Sequence, residues 1–230
     1  EEEEVLAAVT AFKPLISHQE LAKDVVYKEA MKMTDWKEPG WTRKIPNDVW
    51  DMVREKRSIL IEGDQPIPPP LERFEDFKLP WWLLQSLERK GISKPSPIQM
   101  QGIPVALSGR DMIGIAYTGS GKTLVFALPL FCYALAEETR APIRAREGPL
   151  GIIVCPSREL AEQSFHILND WSDAGVRGGA REVRSMLCIG GTNVRDSFIN
   201  YDRAGAHIIV ATPGRLVEHI KQGPVFPSLF

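Results

Sequence analysis

The pattern of apolar and polar positions changes character at about residue 70 of the 230. Before that point apolar residues are scattered among polar ones, and only residues 19–31 and 47–59 have spacing that suits short helices. Beyond it the pattern is regular. Apolar runs at residues 112–116, 151–155, 185–189 and 207–211 have the length and composition of buried strands. Helical spacing is found at residues 79–90, 98–107, 122–138, 157–171, 194–203 and 213–221. The polar stretches 139–148 and 172–181 read as surface loops. Strands that are apolar on both faces and alternate with helices predict an α/β fold with a parallel sheet covered by helices. Ligands of such a sheet bind at the carboxyl ends of the strands. Thr118, Pro156, Gly190 and Thr212 each follow a predicted strand, so the chemistry is expected along one edge.

Gln65-Pro66-Ile67-Pro68-Pro69-Pro70 favours an extended polyproline segment and reads as a domain boundary. It separates a flexible, partly helical extension (1–64) from a domain over 71–223, with 224–230 as a tail. Trp36, Trp41 and Trp50 are too scattered to form a core of their own and suit docking onto another surface. Composition places the chain among ordinary globular proteins, at 43% hydrophobic and 25% charged. The apolar runs are far shorter than a membrane span, and the run Glu1-Glu2-Glu3-Glu4 is the opposite of a signal peptide, so no membrane partner is expected. Cys132, Cys155 and Cys188 form no C-x-x-C pair and read as buried thiols in a reducing compartment. His18, His166, His207 and His219 do not combine with Cys or acidic residues at metal-ligand spacing, and His207 reads as structural. Residues 1–73 carry 15 acidic and 11 basic side chains, and residues 74–230 carry 15 and 17. That balance is no broad nucleic-acid field. Any such site must be built locally from a few positioned groups.

The densest chemistry is Ala116-Tyr117-Thr118-Gly119-Ser120-Gly121-Lys122-Thr123, between a predicted strand and a predicted helix. Glycines let successive N–H groups turn inward, and the helix N-terminus adds its dipole, which together make a phosphate cradle. Lys122 would reach the β- and γ-phosphates of ATP, and the Thr123 hydroxyl would ligate Mg²⁺. Ala116 stands where the general phosphate-loop pattern has Gly.

Five segments then carry a resemblance. Gly91-Ile92-Ser93-Lys94-Pro95-Ser96-Pro97-Ile98-Gln99 resembles the Q motif of DEAD-box RNA helicases, and residues 116–123 resemble their motif I, which opens with Ala. Pro156-Ser157-Arg158-Glu159-Leu160 resembles motif Ia, Gly190-Gly191 the GG motif, and Thr212-Pro213-Gly214-Arg215 motif Ib. The segments occur in family order over about residues 74–221. Gly109 to Ala116 and Ile61-Glu62-Gly63-Asp64 look most like the Abstrakt subgroup.

The resemblance implies an incomplete first RecA-like domain of the P-loop NTPase class. It implies ATP and Mg²⁺, with adenine met by the Gln99 amide and stacked on Phe74, and phosphates held by Thr118, Gly119, Ser120, Gly121, Lys122 and Thr123. It further implies contact of Arg158, Gly191, Thr212, Gly214 and Arg215 with an RNA backbone. Taken alone, Arg158 would be a helix-end ion pair with Glu159 or a neighbour, and an Ile-Gln pair would be ordinary helix surface. Ser96 keeps the hydroxyl of the family's usual Thr. A monomeric protein of pre-mRNA splicing is the implied setting, in the nucleus with the cytoplasm as the alternative, and with spliceosomal proteins met through the extension.

The family's Asp-Glu-Ala-Asp sequence does not occur in these 230 residues. Little ATP turnover is therefore expected of this chain alone. A non-catalytic RNA- or partner-binding protein and another P-loop enzyme, such as a nucleotide kinase, are the alternatives. Gln99 with Phe74, and the Thr212 to Arg215 motif, argue against the kinase.

Overall fold

The computed structural model describes residues 36–191, 201 and 203–222. The helix expected at 19–31, most of that expected at 194–203, and the tail 224–230 lie outside the described residues. Among the described residues the sheet has three parallel strands, β1 (Gly151–Val154), β2 (Ser185–Cys188) and β3 (Ile208–Ala211), in the order β1-β3-β2. Gly151 and Ser185 both lie opposite Ile208, so the strands start level. All four residues of central β3 are buried, whereas Val154 at the end of β1 is half exposed. Alternation along β3 sends Ile208 and Val210 into the larger core and Ile209 and Ala211 into a smaller one with Met186, Cys188 and Tyr201.

The helices are α1 (Asn47–Lys56), α2 (Trp81–Arg89), α3 (Pro97–Leu107), α4 (Lys122–Arg140), α5 (Arg158–Arg177) and α6 (Pro213–Gln222). Leu124, Leu128 and Phe131 of α4 lie in the larger core. There Trp82 of α2, Phe131 and Trp171 of α5 meet edge to face in sequence, with ring centroids 6.2 and 5.5 Å apart. Helix α5 runs past the predicted end at Trp171 to Arg177, taking in part of the expected loop. Trp171, Ala174 and Gly175 continue its buried face at helical spacing, and Ser172 accepts the Val183 N–H at 3.0 Å.

The predicted strand at 112–116 is not part of the sheet. Met112 Cε approaches the Cα face of Gly102 on α3, and the Gly114 backbone lies beside Ile98. Ile113, Ile115 and Tyr117 are about nine-tenths exposed. A short apolar run has the composition of a buried strand. A ladder also needs a neighbour, and none lies beside this segment among the described residues.

The extension also departs from expectation over its described part. Residues 36–64 are packed onto the domain, and the proline stretch falls inside one unit that runs from Lys32 onward. Trp36 donates its indole N–H to Phe77 O at 2.9 Å, and Trp50 is buried against Trp41. Arg54 of α1 donates to Gln101 Oε1 at 2.9 Å, and Gln101 Nε2 donates to Pro68 O at 2.8 Å. Arg110 holds the carbonyls of Asp64 and Pro66. Trp36 thus docks on the chain's own core, while Trp50 is buried beside Trp41, which stays 45% exposed.

Just before β3, at the end opposite the motif-bearing loops, lies a buried polar pair. His207 Nδ1 accepts the Arg184 N–H at 3.0 Å, which leaves Nε2–H to donate to Glu138 Oε2 at 2.8 Å. Glu138 also accepts the Ile143 N–H. Every buried lone pair named here has a donor, so His207 is structural, as its strand-opening position implies.

Candidate functional site

Two clusters form, the second of them at the carboxyl side of the sheet. The first joins the start of α3 to the phosphate loop. Pro97 at the first turn suits its fixed φ, and Gln99 Oε1 accepts the Ser96 N–H at 3.0 Å, closing a capping box. Gln99 Nε2 donates to Gly121 O at 3.0 Å, and Ser96 Oγ donates to Ser120 O at 2.7 Å. Gln99 is thus buried and occupied on both sides of its amide. An amide still has a second lone pair and a second N–H, the two groups an adenine edge would need. The S-x-x-Q spacing that announces this capping box is readable in the chain, and so is the role of Ser96 it implies.

Gly119 and Gly121 hold left-handed φ of 78° and 82°, which turns the loop back on itself. A Cβ on Gly121 would sit 2.2 Å from Gln99 Nε2, so the α3 contact also requires its absence. Lys122 closes the loop by donating to Ala116 O at 2.5 Å and Tyr117 O at 2.7 Å. The Ser120 hydroxyl is buried without a hydrogen-bond partner. An ammonium resting on two carbonyls, an orphaned hydroxyl and a helix N-terminus are groups that an entering polyphosphate would satisfy. Thr118 is exposed, and Thr123 lies half-buried in the first turn of α4. These residues fit a nucleotide's phosphates.

Phe74 is placed differently from expectation. It is 3% exposed, in a short 3₁₀ turn, and meets Phe77 edge-on at 5.7 Å. The structure presents no open face of this ring for a purine. Stacking there would need the ring to be uncovered.

The second cluster gathers the loops after β1, β2 and β3. Ser157 caps α5 by accepting the Leu160 N–H, which sets Arg158 in its first turn. The Arg158 guanidinium lies over the two glycines: a Cβ on Gly190 would stand 2.9 Å from its Nη2, and one on Gly191 3.1 Å from its Nη1. Arg158 forms no ion pair with Glu159. Gly191 takes φ of 89°, and the Thr212 N–H donates to Cys188 O at 3.0 Å. Gly214 is open, with nothing within 4 Å of where a Cβ would be. Arg215 turns inward: Nε donates to Ile189 O at 3.0 Å and Nη1 meets Glu218 at 2.8 Å, with its side chain 10% exposed. Beneath it the Cys188 thiol is pushed up to about 12 by burial, so it is no nucleophile. Glu218 was not among the expected site residues, and Gly190 was expected only as a strand-end residue of the GG motif. The Arg-x-x-Glu spacing on a helix was the available signal for Glu218. Among the described residues no cluster of His, Cys, Asp and Glu could hold a metal ion, and no helix is long and apolar enough to cross a membrane.

This arrangement is that of a P-loop nucleotide-binding domain with a polar strand-end surface beside it. A model of the DEAD/DEAH box helicase family matches residues 96–228, more than half of the chain, and the chain belongs to that family. It is 49% identical over 216 residues to "DEAD-box ATP-dependent RNA helicase 35" of Arabidopsis thaliana, covering 94% of this chain and 36% of the relative. It is 44% identical over 218 residues to "ATP-dependent RNA helicase abstrakt" of Drosophila melanogaster, covering 95% and 35%. Among solved structures, yeast DEAD-box splicing factor Prp28 aligns with a TM-score of 0.66 at 28% identity, covering 80% of this chain and 42% of that one. Prp28 from Chaetomium thermophilum bound to ADP aligns at 0.64 and 36% identity, covering 81% and 43%. The fold is the RecA-like α/β fold of these helicases. The chain spans about a third of the length of the curated relatives it matches.

Proposed function

We propose that this chain is the nucleotide-binding part of an ATP-dependent RNA helicase that works in the nucleus on pre-mRNA splicing. The observation that carries the reading is the pair of clusters: a phosphate loop tied to Gln99, and a strand-end surface made by Arg158, Gly191, Thr212 and Gly214. The splicing role is supported by the likeness to Prp28, whose yeast form is described as a splicing factor. In this reading Lys122 leaves the Ala116 and Tyr117 carbonyls for the β- and γ-phosphates of ATP, Ser120 gains a partner, and Thr123 supplies an oxygen to Mg²⁺. Gln99 reads adenine with the donor and acceptor it has left. RNA lies along backbone N–H groups and Arg158, which hold phosphates without reading bases. Hydrolysis and unwinding are not assigned to these residues, in which the family's Asp-Glu-Ala-Asp sequence does not occur.

Isothermal titration of the chain with ADP and Mg²⁺ tests the nucleotide reading. Lys122→Ala should abolish binding while leaving the unfolding midpoint nearly unchanged. An unaltered affinity would remove the phosphate loop from the account. Substantial RNA-stimulated ATP hydrolysis by the 230 residues would overturn the expectation of little turnover.

A further inference from the structure

The resemblance suggests that the arginine of Thr212-Pro213-Gly214-Arg215 touches RNA, yet its guanidinium is already committed inside the protein. Nε donates to the Ile189 carbonyl, immediately before Gly190-Gly191. Nη1 pairs with Glu218 one helical turn further along α6. The Thr212 N–H donates to Cys188 O at 3.0 Å, so the start of α6 and the end of β2 are joined at two points. Arg158 from α5 lies over the same glycine pair from another side.

We propose that Arg215 is a positioning residue for RNA binding, and that Glu218 is its necessary partner. Glu218 orients the guanidinium, the guanidinium holds the Ile189 carbonyl, and that carbonyl sets the Gly190-Gly191 turn under Arg158. The phosphate-contacting groups are then Arg158 and the backbone N–H groups of the strand-end loops. Arg215 acts through them. A planar guanidinium serves this purpose because it presents two donors in a fixed geometry, to a carbonyl and to a carboxylate at once. Lysine has the charge without that geometry. The inference rests on the RNA reading above, and it specifies which groups of that surface meet phosphate and which one shapes it.

The two roles predict opposite signs at Glu218. If Arg215 met phosphate directly, removing the neighbouring carboxylate would free the guanidinium and tighten RNA binding. If Arg215 is a brace, the same change loosens the glycine turn and weakens binding.

The test is fluorescence anisotropy of the full 230-residue chain with a labelled oligouridine over a range of salt concentrations, with unfolding midpoints recorded for every variant. Glu218→Gln and Arg215→Lys should each weaken binding roughly tenfold, the scale of one lost charge-assisted hydrogen bond. The slope of log affinity against log salt should not change in either variant. Arg158→Ala should instead lower that slope by about 0.7, as loss of one phosphate contact on a single strand does. Tighter binding by Glu218→Gln, or full affinity in Arg215→Lys, would overturn the brace while leaving the RNA reading intact. No binding by the unmodified chain would overturn that reading and the brace with it.

Discussion

At the scale of single residues, two glycines show how one missing Cβ can do different work. Gly121 is confined twice over, by a φ of 82° and by Gln99 Nε2 at 2.2 Å from where a Cβ would lie. Gly121→Ala should cost roughly 1–2 kcal/mol from the left-handed backbone alone and also part α3 from the phosphate loop. A lower urea midpoint together with weaker ADP binding is the expected result. Gly190 has no left-handed φ, and the atom nearest its Cβ position is the far end of Arg158. There the side chain can move, so Gly190→Ala should leave stability within about 0.5 kcal/mol and lower RNA affinity. If Gly190→Ala lowered the unfolding midpoint well beyond that while RNA affinity held, Arg158 would not be the group that yields. Neither distinction can be read from the sequence, where both are simply glycines in a motif. The same holds in part for Gln99: its capping-box bond to Ser96 was legible in the S-x-x-Q spacing, but its bond to Gly121 O was not.

At the scale of elements, α4, β3 and the loop before β2 are joined through Glu138, His207 and Arg184. Burial lowers the His207 pKa from its ordinary 6.5, outweighing the Glu138 hydrogen bond that favours the charged form; the nearby Arg184 charge also lowers it. Burial works to raise the Glu138 pKa, but the Ile143 N–H, His207 and Arg184 together hold it below the ordinary 4.5. Both directions give the same sign. The unfolded chain binds protons that the folded chain does not, first at histidine and then at the carboxylate. Stability should therefore be full above about pH 6.5, fall as His207 protonates in the unfolded state, and fall again below about pH 4.5. Urea midpoints measured from pH 8 to 4 check this, since His207→Gln should flatten the upper part of the decline. An identical profile in that variant would assign the loss to other groups. The helices themselves were largely legible, because periodicity, Pro97, Ser157 and Pro213 act within a few residues of where they sit. The docking of α1 was not, because Arg54 finds Gln101 across 47 residues of sequence.

At the scale of the whole molecule, the segment at 112–116 presents a row of exposed apolar side chains, with the outer end of β1 also uncovered at Val154. Exposed rows of this kind favour association. Replacing Ile113 and Ile115 together by Thr should reduce light scattering at high protein concentration. Thermal stability should change by no more than about 1 kcal/mol, since neither side chain is buried. A large fall in melting temperature would mean that this segment is packed in solution. The sequence by itself determined the phosphate loop, the five motifs, the places along the chain of the three parallel strands and most of their helices, and so the family. Each of these depends on residue type and short spacing, and local backbone chemistry needs nothing more. Tertiary structure alone decided that residues 112–116 have no ladder, that Phe74 is covered, that α1 with Trp50 belongs to the domain, and that Arg215 faces inward. Those outcomes depend on which groups from distant parts of the chain come to lie within hydrogen-bonding or packing distance, and no periodicity in the sequence records that.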